Sequence, residues 1–245
     1  MTIARDTSII KGVSWGQSMN WRVLSDFDGT IALEDVTDSI LERFASDDWQ
    51  DIETDWKNGL IGSRECMARQ IALIRASRKD LDDHLDQIAI DPAFPAFAAF
   101  CRTMDVPLTV VSDGLDYAIR RILGRYGLDD LPILANRLEV AGPARYRLSF
   151  PHANGACAKA SGTCKCKIAE ELTAGRALSL LIGDGTSDMC AAGSVDLVFA
   201  KDKLLGHCRD QGLPFVAFDD FNHAHGLLAT LLDEPARLGV TAVFG

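Results

Sequence analysis

The chain has 245 residues, a formal net charge of −10, 47% hydrophobic and 24% charged residues. That is an ordinary globular composition, long enough for one large domain or a domain with a subdomain, and its acid excess argues against a nucleic-acid backbone as partner. No run approaches the roughly 20 apolar residues of a membrane span, no apolar stretch near Arg5, Asp6 and Lys11 reads as a signal peptide, and seven cysteines without one are expected as reduced thiols in a cytoplasmic protein.

Residues 1–20 lack periodicity and are expected to form an N-terminal extension. Trp21 to Ser25 is a short apolar run that stops at Asp26-Phe27-Asp28-Gly29-Thr30, the pattern of a buried strand entering a loop. Residues 37–106 read as helical, with Ile40, Leu41, Phe44, Met67, Ile71 and Ile74 at helical spacing. Pro107 to Val111 is a second strand-like run, ending at Ser112-Asp113-Gly114. A helix is expected from Tyr117 to Tyr126, then a β-hairpin from Ile133 to Phe150, turning at Ala141-Gly142-Pro143-Ala144. A helix over Lys167 to Leu172 leads to a third run, Ala177 to Ile182, which ends at Gly183-Asp184-Gly185. Val195 to Ala200 and Pro214 to Phe218 are weaker strand-like runs. Continuous apolar strands alternating with helices predict an α/β fold with a doubly wound parallel sheet. The expected organisation is a core over 21–36 and 107–245, with 37–106 as a helical cap inserted after the first strand and the hairpin as a second insertion.

Ligands bind at the carboxyl ends of the strands in such a sheet. That edge would gather Asp26, Asp28, Ser112, Asp184 and Asp188 from distant parts of the chain. Clustered carboxylates need a cation, and oxygen donors without His or Cys favour Mg²⁺ over Zn²⁺. A carboxylate such as Asp26 can attack phosphorus. Asp28, two residues on, is placed to protonate the leaving oxygen and later to take a proton from water. A serine hydroxyl and backbone N–H groups hold phosphate oxygens, and a lysine neutralises the developing charge. Taken singly, a strand-end Asp also serves as an ordinary helix cap.

Asp26-Phe27-Asp28-Gly29-Thr30, Ser112, a lysine and Gly183-Asp184-Gly185-Thr186-Ser187-Asp188, in that order, resemble the four motifs of the haloacid dehalogenase superfamily of phosphatases. The helical insert and Ala135-Asn136-Arg137-Leu138 resemble its phosphoserine-phosphatase-like branch. Pro151-His152, the Cys-rich loop and Phe199-Ala200-Lys201-Asp202 are similar to the enol-phosphate phosphatases of methionine salvage. The resemblance covers about residues 21 to 220. It implies an Mg²⁺-dependent phosphomonoesterase acting on a small phosphorylated metabolite through an aspartyl-phosphate. Asp26 would be the nucleophile and a metal ligand, and Asp28 the acid/base and a ligand through its carbonyl. Asp184 would be the third ligand, and Asp188 would order the metal waters and the lysine. Thr30, Ser112, Asp113 and Gly114 would support or hold phosphate, and Asp35 would face the substrate. The family's helix pattern favours Lys165 over Lys167 as the catalytic lysine.

Three thiols, Cys157, Cys164 and Cys166, with the imidazole of His152, fall within fifteen residues. A structural Zn²⁺ site is one expectation for them; free loop thiols or a Cys157–Cys164 disulfide are the alternatives. Cys66, Cys101, Cys190 and Cys208 are expected as small buried apolar residues. A homodimer is one assembly such a chain can form, and nothing in the sequence selects it over a monomer.

Overall fold

A computed structural model describes residues 20–157, 159–172 and 177–233, so the expected N-terminal extension lies outside the described residues apart from Asn20. The first strand, β1 (Trp21–Ser25), is followed by five helices: α1 (Val36–Phe44), α2 (Trp49–Lys57), α3 (Ser63–Ile71), α4 (Arg78–Leu85) and α5 (Phe94–Thr103). Then come β2 (Leu108–Leu115), α6 (Asp116–Gly124), β3 (Ile133–Gly142), β4 (Arg145–Ser149), α7 (Lys165–Leu172) and β5 (Leu178–Gly183). The described chain closes with α8 (Met189–Ala192), β6 (Leu197–Ala200), α9 (Asp202–Gln211), β7 (Phe215–Ala217) and α10 (Phe221–Asp233).

The strands form one seven-stranded sheet in the order β4-β3-β2-β1-β5-β6-β7. All pairings are parallel except β3 with β4. This is the expected doubly wound α/β sheet, and β1 lies between β2 and β5, where the strand order reverses. Two apolar cores cover the sheet's faces. One joins Val23, Val110 and Ile182 to α1 through α6 and α10; the other joins Leu24, Val111, Leu181 and Val198 to α7, α8 and α9. Burial on both faces is why these strands read as continuous apolar runs rather than alternating ones.

Two details go beyond the sequence reading. Ile133 and Leu134 pair parallel with β2, so β3 belongs to the main sheet before its later residues, from Arg137, turn into the hairpin with β4. Strand β2 continues through Ser112-Asp113-Gly114 to Leu115, with a register shift after Val111. Such an irregularity re-aims side chains at a sheet's edge.

Helix α1 starts at Asp35, whose carboxylate accepts from the N–H of Asp38 at 2.9 Å, and α4 starts with a Ser77–Asp80 capping box. Helix α5 packs on α10 and β2, and Asp91 beside it accepts from the N–H of Phe221, the first residue of α10, at 2.8 Å. Helix α1 packs on β2, α3 on β4 and α4 on α6. Arg121 on α6 pairs with Asp86 at 2.7 Å, Arg125 donates to the carbonyl of Leu85 at 2.6 Å, and Tyr146 on β4 donates to the carbonyl of Ala76 at 3.1 Å. Among the described residues no helix is long and apolar enough to cross a membrane.

Candidate active site

Strand β1 delivers Asp26 and Asp28 to the sheet's carboxyl edge, and β5 delivers Asp184 and Asp188 beside them. Asp26, Asp184 and Asp188 each present a carboxylate oxygen within 4.8 Å of the others, and no other such metal-ligating group of three occurs among the described residues. Two glycines make this approach possible. Gly29 adopts φ 70°, a left-handed turn, and a Cβ there would stand 2.7 Å from a carboxylate oxygen of Asp184. At Gly114 a Cβ would stand 2.5 Å from a carboxylate oxygen of Asp28.

One buried lysine offsets part of this charge. Lys165 Nζ lies 2.8 Å from Asp26, 2.7 Å from Asp188 and 3.1 Å from Ser187 Oγ, and its side chain is only 2% exposed. Burial alone would push the ammonium's pKa down; the two carboxylates outweigh that and hold it above its ordinary value. Lys167 points elsewhere, to Glu171 at 3.4 Å, with 47% of its side chain exposed. Of the two candidate lysines, Lys165 reaches the acids.

The acids differ in environment. Burial, then the Asp188 charge, push Asp26 well above the ordinary carboxylate range, with Lys165 opposing them. Its carboxylate also accepts from the N–H of Phe27 at 2.7 Å. Asp28 is pushed up to about 7, first by burial and then by the negative charge of Asp35. It accepts from the N–H of Val36 at 2.9 Å and from Ser112 Oγ at 3.2 Å. Asp184 is raised by burial, opposed by Thr30, whose hydroxyl donates to it at 2.6 Å. Asp188 accepts from the N–H groups of Asp184 and Gly185 at 3.3 and 3.2 Å, which fixes the β5 loop around it. Carboxylate oxygens gathered this closely, with Asp26 and Asp184 raised by dehydration and by the charge of Asp188, fit a hard divalent cation.

Ser112 is fully buried, and its Oγ accepts from the N–H of Gly114 at 2.8 Å. Asp113, expected with the phosphate-holding groups, has its carboxylate engaged by Ser63, Asn136 and Thr163. Asp35 is the exposed N-cap of α1. Ser63 and Asn136 as partners of Asp113 were not visible in the sequence, where a serine opening a helix reads only as a cap.

The structure gives the expected zinc clip no support. Cys164 and Cys166 lie 3.4 Å apart, sulfur to sulfur, and Cys157 Sγ donates to Ser161 Oγ at 3.8 Å, but the thiols do not converge as three ligands around one point. The contact that ties His152 to this loop is its carbonyl, which accepts from the N–H of Cys164 at 3.0 Å. Cys66, Cys101 and Cys208 are buried as expected; Cys190 is half-buried, and its Sγ donates to the carbonyl of Ser187 at 3.8 Å.

Residues 23–193 match the family model described as haloacid dehalogenase-like hydrolase. The chain belongs to this family. A 2-hydroxy-3-keto-5-methylthiopentenyl-1-phosphate phosphatase of Geobacillus kaustophilus is 30% identical over 199 residues, covering 80% of this chain and 90% of that protein. One from Brevibacillus brevis is 28% identical over 212 residues, covering 85% and 95%. Among solved structures, a phospho-aspartyl intermediate analogue of phosphoserine phosphatase superposes with a TM-score of 0.64 at 18% identity, covering 87% of this chain and 99% of that one. That likeness is one of fold. As a haloacid dehalogenase-like hydrolase, the chain carries its carboxylates at the carboxyl ends of β1 and β5.

Proposed function

We propose that this hydrolase is a phosphomonoesterase that cleaves a small phosphorylated metabolite through a phosphorylated Asp26. The observation that carries the reading is Lys165, buried between Asp26 and Asp188 at 2.8 and 2.7 Å. A buried cation touching a nucleophile-ready carboxylate suits a reaction that builds negative charge on a phosphoryl group. Asp26 attacks phosphorus. Asp28, its pKa pushed up to about 7, gives its proton to the leaving oxygen, then takes one from the water that hydrolyses the phospho-Asp26. Ser112 Oγ and the N–H of Asp113 hold phosphate oxygens, the N–H of Gly114 orients that hydroxyl, and Thr30 holds Asp184 in place.

Asp26, Asp184 and the carbonyl of Asp28 would hold Mg²⁺, with Asp188 beside them. The ion supplies charge neutralisation for the phosphoryl group. Helices α1 to α4 serve as the cap that excludes water, with Asp35 at its base facing the leaving group; α5, packed on α10, belongs with the core.

For the substrate we favour the 2-hydroxy-3-keto-5-methylthiopentenyl-1-phosphate for which the relatives near 30% identity are named. Phosphoserine is the second reading, supported only by a likeness of fold. We place the protein in the cytoplasm, in keeping with reduced thiols. The test is phosphate release from a panel of phosphorylated metabolites with Mg²⁺, both candidates included and Asp26→Asn as the control. Turnover of one candidate far above the rest decides between them. No turnover of any member would favour a non-catalytic binding module instead.

A further inference from the structure

Asp113 sits between two residues of the site, yet its own carboxylate serves another purpose. One oxygen accepts from Ser63 Oγ at 2.7 Å. The other accepts from the N–H of Thr163 at 2.8 Å and from Asn136 Nδ2 at 3.2 Å. A carboxylate is an acceptor only, so a single Asp can serve all three donors at once. Next to a phosphate dianion a free carboxylate would be repulsive; three donors take up its charge.

The donors come from three separate parts of the molecule. Ser63 opens α3 in the helical insert. Asn136 is a buried residue of β3, and its amide also donates to the carbonyl of Asp113 at 2.5 Å. Thr163 lies in the loop before α7, two residues ahead of Lys165, and its hydroxyl donates to Asn136 Oδ1 at 3.2 Å. A second contact spans the same gap. The N–H of Arg64 donates to the carbonyl of Ala160 at 3.1 Å, and a Cβ on Gly62 would stand 2.7 Å from the Cβ of Ala160.

We propose that Asp113 is a positioning residue that fastens α3 to the loop carrying Lys165, so that seating of the cap and placement of the lysine are one event. The inference rests on the phosphatase reading above. Binding of a leaving group under the cap is then reported, through Ser63, Asp113 and Thr163, to the ammonium that neutralises the phosphoryl group. The side chain of Asp113 touches no reacting atom.

The test uses the full chain with Mg²⁺ and p-nitrophenyl phosphate, comparing Ser63→Ala, Asp113→Ala, their double variant and the isosteric Asp113→Asn. Asp113→Ala is expected to lower kcat about tenfold or more by misplacing the lysine. Ser63→Ala is expected to lower it less, and the double variant to be no slower than Asp113→Ala alone, because Ser63 acts through Asp113. A fall in kcat with KM for p-nitrophenyl phosphate unchanged separates placement of the lysine from a merely structural role, and amide hydrogen exchange reads the fastening itself. Ser63→Ala should speed exchange across the gap at 160–164, and Asp113→Ala should speed it at Arg64. Effects that multiply in the double variant, or exchange changes confined to the mutated element, would overturn the proposal. If Asp113→Ala does not fold, Asp113→Asn carries the same comparisons. If wild type fails on p-nitrophenyl phosphate and on the metabolite panel alike, the phosphatase reading fails, and the exchange arm alone decides whether the fastening exists.

Discussion

Lys165 Nζ lies 2.8 Å from a carboxylate oxygen of Asp26, and both side chains are shut away from water. In that setting neither charge can be removed without exposing the other. Lys165→Met should therefore cost about 3–5 kcal/mol of stability, the range for breaking a buried pair, and reduce turnover at least about a hundredfold. Lys167→Ala, which breaks only an exposed pair with Glu171, should change stability by less than about 0.5 kcal/mol and leave turnover intact. Urea melts and initial rates on the two variants check both halves.

Asp26→Asn keeps the size of the side chain and can still accept from the N–H of Phe27. An amide does not attack phosphorus, so turnover should fall at least about a thousandfold, roughly 4 kcal/mol of barrier, with the circular dichroism spectrum unchanged. Activity within about tenfold of wild type would remove Asp26 from the nucleophile's role.

The pH profile follows from Asp28. Its pKa is pushed up to about 7, so its acid form is available below that and is lost above it. The rate of leaving-group departure should decline as pH rises through about 7. Asp35 helps to raise Asp28 by its negative charge. Asp35→Asn removes that charge, lowers the pKa of Asp28 and should move the falling limb to lower pH, while an amide oxygen can still cap α1. Rate profiles of wild type and Asp35→Asn, taken under saturating Mg²⁺, test the sign.

Mg²⁺ should stabilise the fold as well as support turnover. Asp26, Asp184 and Asp188 converge within 4.8 Å, and a cation relieves their repulsion only in the folded state. At a concentration about 100 times its Kd, the expected gain is about 2.7 kcal/mol, visible as a rise in Tm. Chelator should abolish activity and reverse the rise, and Asp184→Asn should weaken both responses. A Tm indifferent to Mg²⁺ in wild type would separate this acidic cluster from metal binding.

Much of this was legible beforehand because burial on both faces leaves a simple mark. The run Trp21 to Ser25 is β1 to the residue, and the acidic turns that stop β1 and β5 are the ones that meet in the fold. The beginning of β3 was not legible as part of the main sheet. A local pattern reports that a segment is extended, not that Leu134 pairs with Val111 while Leu138 pairs with Leu148. Lys165 and Lys167 were hard to separate for a geometric reason. Two positions on one helix point about 200° apart, and only the seating of α7 tells which one faces inward. The partners of Asp113 left no trace at all: Ser63 and Thr163 each lie 50 residues from it along the chain.

The central place of β1 also bears on how the molecule comes into being. β1 is complete only when β2 is on one side and β5 on the other, and Thr30 finds Asp184 across 154 residues of chain. Contacts of such sequence separation form late and slowly, because the loop between them must close before they give any return. A nascent chain that has not yet delivered β5 therefore carries β1 with one edge open and its acids apart. Catalytic competence should arrive in a single step near the end of folding, and proteolytic fragments lacking β5 should hold no residual activity however well their helices form.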